Sequence, residues 1–275
     1  MGSSMVRTRG TPLTLALAAV LGLLPLAGAA AAGPSGQGRM AVVPTSLSAG
    51  STGNELTLTY TADRAALSGQ TIVDVPRGWT QPQRNDPAAP GYVELKRGTC
   101  GPATRLVSIS GRRLTIATAC RHRRSYQLLY HKATASTIAA DGYIFLTQTR
   151  PSGRKAKFRP LGRRRQPVVK VRGGPAAGLG MTVTSIATAG VAFTATVRGV
   201  DPYGNNAFPY AGNVRLTSTD PRASLPGPYS YVSTDAAQHA FTGVILRTVG
   251  TQRITATDSN GLSVQSPPIT VSASS

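Results

Sequence analysis

Residues 201–225, DPYGNNAFPYAGNVRLTSTDPRASL, are dense in residues that form turns. The turn formers are Asp201-Pro202, Gly204-Asn205-Asn206, Gly212-Asn213 and Asp220-Pro221. Glycine and asparagine tolerate positive φ, and proline cannot donate a hydrogen bond within a sheet, so such clusters separate strands. Short segments with alternating apolar residues lie on both sides of the first turns, at 191–197 and 213–218. The stretch therefore predicts a β-sandwich.

The same pattern of short strands and turns continues to the end of the chain. After the linker-like segment GGPAAG at 173–178, strands are predicted at 181–186, 191–197, 213–217, 238–241, 251–257 and 269–271. Pro267-Pro268 precedes the last of them, as expected for an edge strand or a bulge. Residues 179–275 are therefore expected to form one β-sandwich domain.

Residues 41–172 show a second set of alternating segments, separated by turn residues at spacings typical of a sandwich. The predicted inward positions are Leu56, Leu58, Tyr60, Leu106 or Val107, Ile109, Leu114, Ile116, Tyr126, Leu128, Tyr130, Tyr143, Phe145, Val169 and Val171. No convincing amphipathic helix follows residue 40. The predicted fold class is all-β, with two tandem β-sandwich domains at 41–172 and 179–275.

The N-terminal 32 residues have the features of a secretory signal peptide. Arg7 and Arg9 precede an apolar run at 13–26, and small residues follow, with cleavage expected after Ala32 or Ala29. A retained membrane anchor is the alternative, but the run is shorter than the ~20 apolar residues that a span needs. Residues 33–40 are expected to be a flexible leader. The predicted location is extracellular, at the cell surface, with no membrane span after cleavage.

Charge is distributed unevenly between the two predicted domains. Residues 41–172 contain 22 Lys and Arg against 6 Asp and Glu, whereas residues 173–275 contain 5 against 4. The formal net charge of +20 therefore resides mainly in the first domain.

Cys100 and Cys120 are the only cysteines in the chain. They flank a predicted hairpin, RLVSISGRRLTIA, and lie ten residues on either side of Ser110, so a tight turn at Ser110-Gly111 brings them together. In an exported protein a structural disulfide is expected. Two buried free thiols are the alternative.

Several phrases resemble the Ig-like domains of bacterial extracellular proteins. In the second domain, Ala189, Gly190, Phe193 and Val197 precede a D-x-x-G-N loop, a pattern that also resembles, more distantly, the filamin-type repeat. In the first domain the matching phrases are AGSTGN, VPRGW and a cysteine pair around a strand. This resemblance implies a secreted or surface β-sandwich protein with a role such as adhesion, and Trp79 is expected in the core.

Three basic clusters depart from the pattern of those relatives. They consist of Arg121, Arg123 and Arg124; Arg154, Lys155, Lys157 and Arg159; and Arg163, Arg164 and Arg165. Clustered guanidinium groups bind phosphate, sulfate or carboxylate, so these residues are candidates for an anion-binding surface. The expected partner is an anionic wall polymer, acidic polysaccharide or lipid headgroup. Specific nucleic-acid binding is not predicted, and a solvated surface without a partner is the alternative.

No residue constellation typical of an enzyme is present, and no cofactor or metal is predicted. His122, His131 and His239 lack zinc-ligand spacing, and Asp63, Asp74 and Asp86 are the acidic residues to inspect for a cleft. Asp201, Asn205, Asp220 and Asp258 with Asn260 offer oxygens to calcium, but these residue types also form turns. The expected function is binding by a non-enzymatic module. A structural spacer without a ligand is the alternative.

Overall fold

A computed structural model describes residues 35–274 of the chain. Within that range the backbone forms β-strands and loops, and the helical elements are two short 3-10 turns, at Arg163–Arg165 and Ser233–Asp235. The all-β prediction is confirmed. The predicted signal peptide lies outside the described residues.

The first sandwich is built from twelve strands that lie between residues 39 and 172. They are β1 Arg39–Val43, β2 Ser46–Ser48, β3 Asn54–Thr61, β4 Leu67–Asp74, β5 Val93–Lys96, β6 Arg105–Ser110, β7 Arg113–Cys120, β8 Ser125–Ala133, β9 Ala140–Ile144, β10 Leu146–Pro151, β11 Arg159–Pro160 and β12 Val168–Arg172. Two sheets have the strand orders β1-β3-β8-β5 and β11-β10-β4-β7-β6, and a third, smaller sheet has the order β2-β12-β9.

The inward positions predicted from alternation form the core of the first sandwich. Leu56, Leu58 and Tyr60 of β3 are buried together with Tyr126 and the other alternating residues of β8. Trp79 is 2% exposed and packs edge-on against Phe145, with 5.2 Å between ring centroids, so its predicted core position is confirmed.

The hairpin that joins β6 to β7 differs by one residue from the prediction. Ser110 pairs with Arg113, so the loop residues are Gly111 and Arg112, and Gly111 adopts the positive φ that the tight turn requires. A bulge between Leu106 and Ser108 then leaves Val107 on the outside. Leu106, not Val107, is therefore the partly buried residue.

The second sandwich contains ten strands between residues 178 and 272. They are β13 Gly178–Thr182, β14 Ile186–Thr188, β15 Ala192–Val200, β16 Asn213–Ser218, β17 Tyr229–Ser230, β18 Gln238–Ile245, β19 Gly250–Gln252, β20 Ile254–Asp258, β21 Ser263–Gln265 and β22 Ile269–Ser272. The three sheets have the orders β13-β15-β18, β14-β22-β19 and β17-β16-β20-β21.

The core of the second sandwich contains the apolar residues expected of its last strands. Phe241, Val244, Leu246, Ile254 and Ala256 are all buried. Two predicted strands are split, because β13 and β14, and likewise β19 and β20, pair in different sheets. Each sandwich thus encloses its own hydrophobic cluster, although the described residues form one compact unit.

The leader predicted to be flexible is held in place from Gly36 onward. The N–H groups of Gly36, Gln37 and Gly38 donate to Pro160 O, Thr149 Oγ1 and Asp63 Oδ2, at 2.8, 2.7 and 3.0 Å. Gly38 has φ +87°, and a Cβ there would lie 2.4 Å from the Tyr60 hydroxyl. Composition did not reveal these long-range partners.

Candidate anion-binding surface

Strand register defines two opposite ends of the first sandwich. At one end Thr61 pairs with both Arg39 and Ser125, while Leu67 pairs with Cys120. The loops at this end are 62–66, 97–104, 121–124 and 152–158, joined by residues 35–38 and 161–166. We call this set the basic end. The eight residues of β3 separate it from the other end by about 25 Å.

Two of the three predicted basic clusters lie in loops at the basic end. The first occupies the loop from β7 to β8, and the second follows β10. The third forms the 3-10 turn at Arg163–Arg165 on the side of the sandwich, where Leu161 N–H and the Gln166 side chain bond to Thr147. Arg165 ties this cluster to loop 62–66 because its Nη1 lies 2.6 Å from Asp63 Oδ2. The ten side chains of the clusters are exposed.

Shallow depressions between these loops place residues of one basic cluster beside residues of neighbouring loops and strands. One, of about 420 Å³, is lined by Lys155, Lys157 and Arg159 beside residues 35–37. A second, of about 500 Å³, is lined by Arg39, Arg64 and Arg123 with His122 and Asp63. A third, of about 650 Å³, has Arg121 and Arg124 beside an otherwise uncharged lining that includes Leu67, Pro102 and Cys120.

Acidic residues are almost absent from the basic end. Its segments, with Arg39 at the start of β1 and Arg159 at the start of β11, contain thirteen Lys and Arg, namely Arg39, Arg64, Arg97, Arg121, Arg123, Arg124, Arg154, Lys155, Lys157, Arg159, Arg163, Arg164 and Arg165. Asp63 is the one carboxylate there, and Arg165 pairs with it. The other acidic residues of the first sandwich lie elsewhere, at Glu55, Asp74, Asp86, Glu94 and Asp141. This end therefore has a strongly positive potential.

A disulfide and backbone hydrogen bonds position the loops that carry the first cluster. Cys100 and Cys120 are bonded, with 4.5 Å between their Cα atoms. Gly101 N–H donates to Ala119 O, and Ser125 N–H donates to Thr99 Oγ1. Arg123 adopts φ +55°, which turns the chain between β7 and β8. Loop 97–104 is thereby fastened beside the first basic cluster.

The opposite end of the first sandwich contacts the second sandwich through the loop with which the sequence analysis began. Asn205 Oδ1 accepts from Ala139 N–H at 2.9 Å, and Asn205 Nδ2 donates to Thr137 O at 2.9 Å. The Arg172 guanidinium lies 4.5 Å from the centroid of the Phe208 ring. Gly173, within the predicted linker, is buried, and a Cβ there would lie 1.9 Å from Asn206 O. We call these contacts the joint.

Asp201 organises the joint. Its carboxylate accepts from the N–H groups of Gly174, Tyr203 and Asn205 and from Asn205 Nδ2, at 2.8 to 2.9 Å. Burial alone raises the pKa of Asp201, but the hydrogen bonds from Asn205, Gly174 and Tyr203 outweigh burial and lower that pKa below its usual value. Asp201 is therefore a structural carboxylate, and its oxygens are occupied by protein donors.

The other oxygens considered for calcium are used in turns of the second sandwich. Asp220 accepts from the backbone N–H groups of Arg222, Arg247 and Thr248 and from the Thr248 hydroxyl. Asp258 accepts from the N–H groups of Asn260 and Leu262 and from the Tyr210 hydroxyl. In residues 35–274 no group of three or more His, Cys, Asp or Glu could hold a metal ion.

The acidic residues named for a possible cleft do not meet. Asp63 is at the basic end, Asp74 pairs with Arg113 at 2.7 Å across the β4–β7 ladder, and Asp86 accepts from Ala88 N–H in its own loop. His131 lies instead between two glutamates, with Nδ1 2.5 Å from Glu55 and Nε2 3.8 Å from Glu94. Across the described part of the chain, no helix is long and apolar enough to cross a membrane.

Sequence reasoning missed two features of this surface. It did not anticipate that residues 36–38 donate hydrogen bonds to Pro160, Thr149 and Asp63, or that Asn205 reaches into the first sandwich. The D-x-x-G-N phrase marked the loop, but a turn motif carries no information about a partner more than 60 residues away.

Comparisons with known proteins give no family for the chain. No family model matches it, and no curated protein matches it in sequence. Among solved structures, it resembles the adhesin InvE of Yersinia pseudotuberculosis at 10% identity and TM-score 0.29, over 85% of this chain and 58% of that one.

Two further structures are similar to the same low degree. A putative membrane anchored protein from Corynebacterium diphtheriae has 15% identity and TM-score 0.30, over 86% of this chain and 53% of that one. The Escherichia coli adhesin FdeC has 14% identity and TM-score 0.30, over 88% of this chain and 65% of that one. The chain thus spans less than two thirds of each of these three structures, and it resembles them without being assigned to their families.

Proposed function

We propose that this protein is an exported, non-enzymatic binding module that contacts anionic polymers of the cell envelope or surrounding matrix through its basic end. The supporting observation is that two exposed basic clusters lie at one end and that Arg165 of the third pairs with Asp63, the single carboxylate of that end. A solubilising surface would need no such segregation. The second sandwich, with 5 basic and 4 acidic residues, serves as a near-neutral support.

The chemistry of the basic end suits a repeated anion more than a single small ligand. Guanidinium groups make paired hydrogen bonds to phosphate, sulfate or carboxylate oxygens. Each exposed pair contributes only ~0–1 kcal/mol, so useful affinity requires several simultaneous contacts. Cations from several loops can engage successive charges of a polymer. Binding of this kind weakens as salt screens the charges.

Removing three basic-end arginines should weaken retention on immobilised polyphosphate and polygalacturonate. Arg121, Arg154 and Arg163 come from the three clusters, are exposed and can be changed to Ser together. Loss of three contacts of up to ~1 kcal/mol each predicts an affinity about 10- to 100-fold lower. The wild-type protein, collected after export from cells that express the full sequence, should elute at clearly higher salt than this variant.

A charge-matched variant provides the control. Arg77→Ser, Arg84→Ser and Arg215→Ser also remove three exposed cations, but from outside the basic end. Its elution should stay close to that of the wild type. Equal losses of retention in both variants would show that net charge, and not the basic end, determines binding. If the wild type is not retained even at low salt, the binding proposal is rejected and the spacer alternative remains. The N-terminal mass of the collected protein tests cleavage after Ala32 or Ala29.

A further inference from the structure

We infer that the basic end contacts an anionic phospholipid surface by charge alone, so that the sandwich axis projects away from the membrane. This inference rests on the proposed function and narrows its partner to phosphate headgroups arranged in a plane. The cations come from four loops at the end of the sandwich, from the start of β1 and from the adjoining 3-10 turn at Arg163–Arg165. Such an arrangement presents an end surface rather than a single enclosed groove.

The side chains at the basic end favour headgroup phosphates over ligands that stack on rings. Its only Phe, Trp or Tyr in the loops is Phe158, and the Arg150 guanidinium already lies 4.5 Å from that ring's centroid. Sugars and nucleic-acid bases are commonly held by open aromatic faces, which these loops do not offer. Charge is therefore the available means of recognition at this end.

The same loops have no apolar side chain suited to insertion. The exposed large hydrophobic residues of the described chain all lie outside these loops; for example, Val43 is at the far end of β1 and Leu146 pairs with Asp74 at the far end of β4. Contact with a bilayer would then remain at headgroup level. Each Lys or Arg near an anionic membrane surface contributes about 1 kcal/mol, which corresponds to about a fivefold change in affinity.

Vesicle binding tests the inference directly. The exported protein should co-sediment with vesicles of mixed phosphatidylglycerol and phosphatidylcholine, and should remain in solution with pure phosphatidylcholine. Arg121→Ser, Arg154→Ser and Arg163→Ser together should weaken vesicle binding about 100-fold. The matched variant at Arg77, Arg84 and Arg215 should bind within a few-fold of the wild type. High salt should release the bound protein because no side chain inserts.

The orientation of the bound protein is a separate readout. A fluorophore placed by Ser152→Cys reports from the basic end, whereas one placed by Ser233→Cys reports from the second sandwich. Quenchers attached to the lipid headgroups should reduce the fluorescence of the label at position 152 and leave that of the label at position 233 unchanged. Equal quenching, or equal binding by the two triple-arginine variants, would overturn the inference.

Polyphosphate retention distinguishes the failure of this inference from the failure of the proposed function. A protein that binds polyphosphate but neither type of vesicle would overturn the membrane contact and leave the polymer-binding module. A protein that binds neither polyphosphate nor vesicles would overturn both. Retention on polyphosphate, together with binding to anionic vesicles in the orientation described above, would support both.

Discussion

Asp201→Ala should lower the free energy of unfolding by about 3 kcal/mol, because it leaves the donors of Gly174, Tyr203 and Asn205 without their acceptor. The carboxylate is 3% exposed, so water replaces it poorly. Urea unfolding of the exported protein measures the loss. The same change should make residues 173–178 susceptible to limited proteolysis, since the joint encloses Gly173 and Gly174.

Acid should reproduce part of that loss. Because the pKa of Asp201 is lowered in the folded protein, its contribution is fully present above the unfolded pKa of ~4 and is lost as the pH falls towards the folded value. The wild type should therefore lose stability below about pH 4 more steeply than Asp201→Ala. Parallel pH profiles of the two proteins would contradict this assignment.

Asp141→Ala is the matched control for this experiment. Asp141 also lies near the joint, and its carboxylate pairs with Lys170 at 2.5 Å, but its side chain is 89% exposed. An exposed pair of this kind contributes little to stability because solvent screens the two charges. Asp141→Ala should therefore leave the denaturation midpoint and the proteolysis pattern nearly unchanged. If Asp141→Ala changed the denaturation midpoint as much as Asp201→Ala does, the loss would not be specific to the hydrogen bonds of Asp201.

The fold was predictable to the extent that it depends on local alternation. Apolar residues alternate along β3 and β8, and this alternation identified the side chains of both strands, such as Leu56 and Tyr130, that form the first core. Strand ends were less predictable. The separation of β13 from β14 occurs because the two strands pair with β15 and β22 in different sheets, and that choice depends on partners distant in sequence.

The candidate site could be predicted as residues but not as a surface. The runs around Arg121, Arg154 and Arg163 were visible because charge is a local property. Their meeting depends on the register of β4 with β7 and β10, which places Cys120 and Pro151 beside the start of β4. The joint was hidden for the same reason, because Asn205 finds its partners at Thr137 and Ala139 only after both sandwiches have formed.

Removal of the disulfide by Cys100→Ala with Cys120→Ala should lower the free energy of unfolding by about 3 kcal/mol. The bond closes a segment of the chain with a sequence separation of 20 residues, and restricting that segment in the unfolded chain is the main expected source of stability. Urea unfolding with and without a reducing agent measures the effect. Reduction should destabilise the wild type and leave the double variant unchanged.

The double variant also separates stability from binding at the basic end. Cys120 is 1% exposed, so its truncation adds a small packing loss that reduction of the wild type does not cause. The cations themselves remain, but loop 97–104 loses its covalent link beside Arg121 and Arg124. Under conditions in which the double variant is still folded, its retention on polyphosphate should therefore fall by only a few-fold. The loss of Arg121, Arg154 and Arg163 should reduce retention far more. A denaturation midpoint unaffected by reduction would show that loop 97–104 is held by its hydrogen bonds to Ala119 and Ser125 instead.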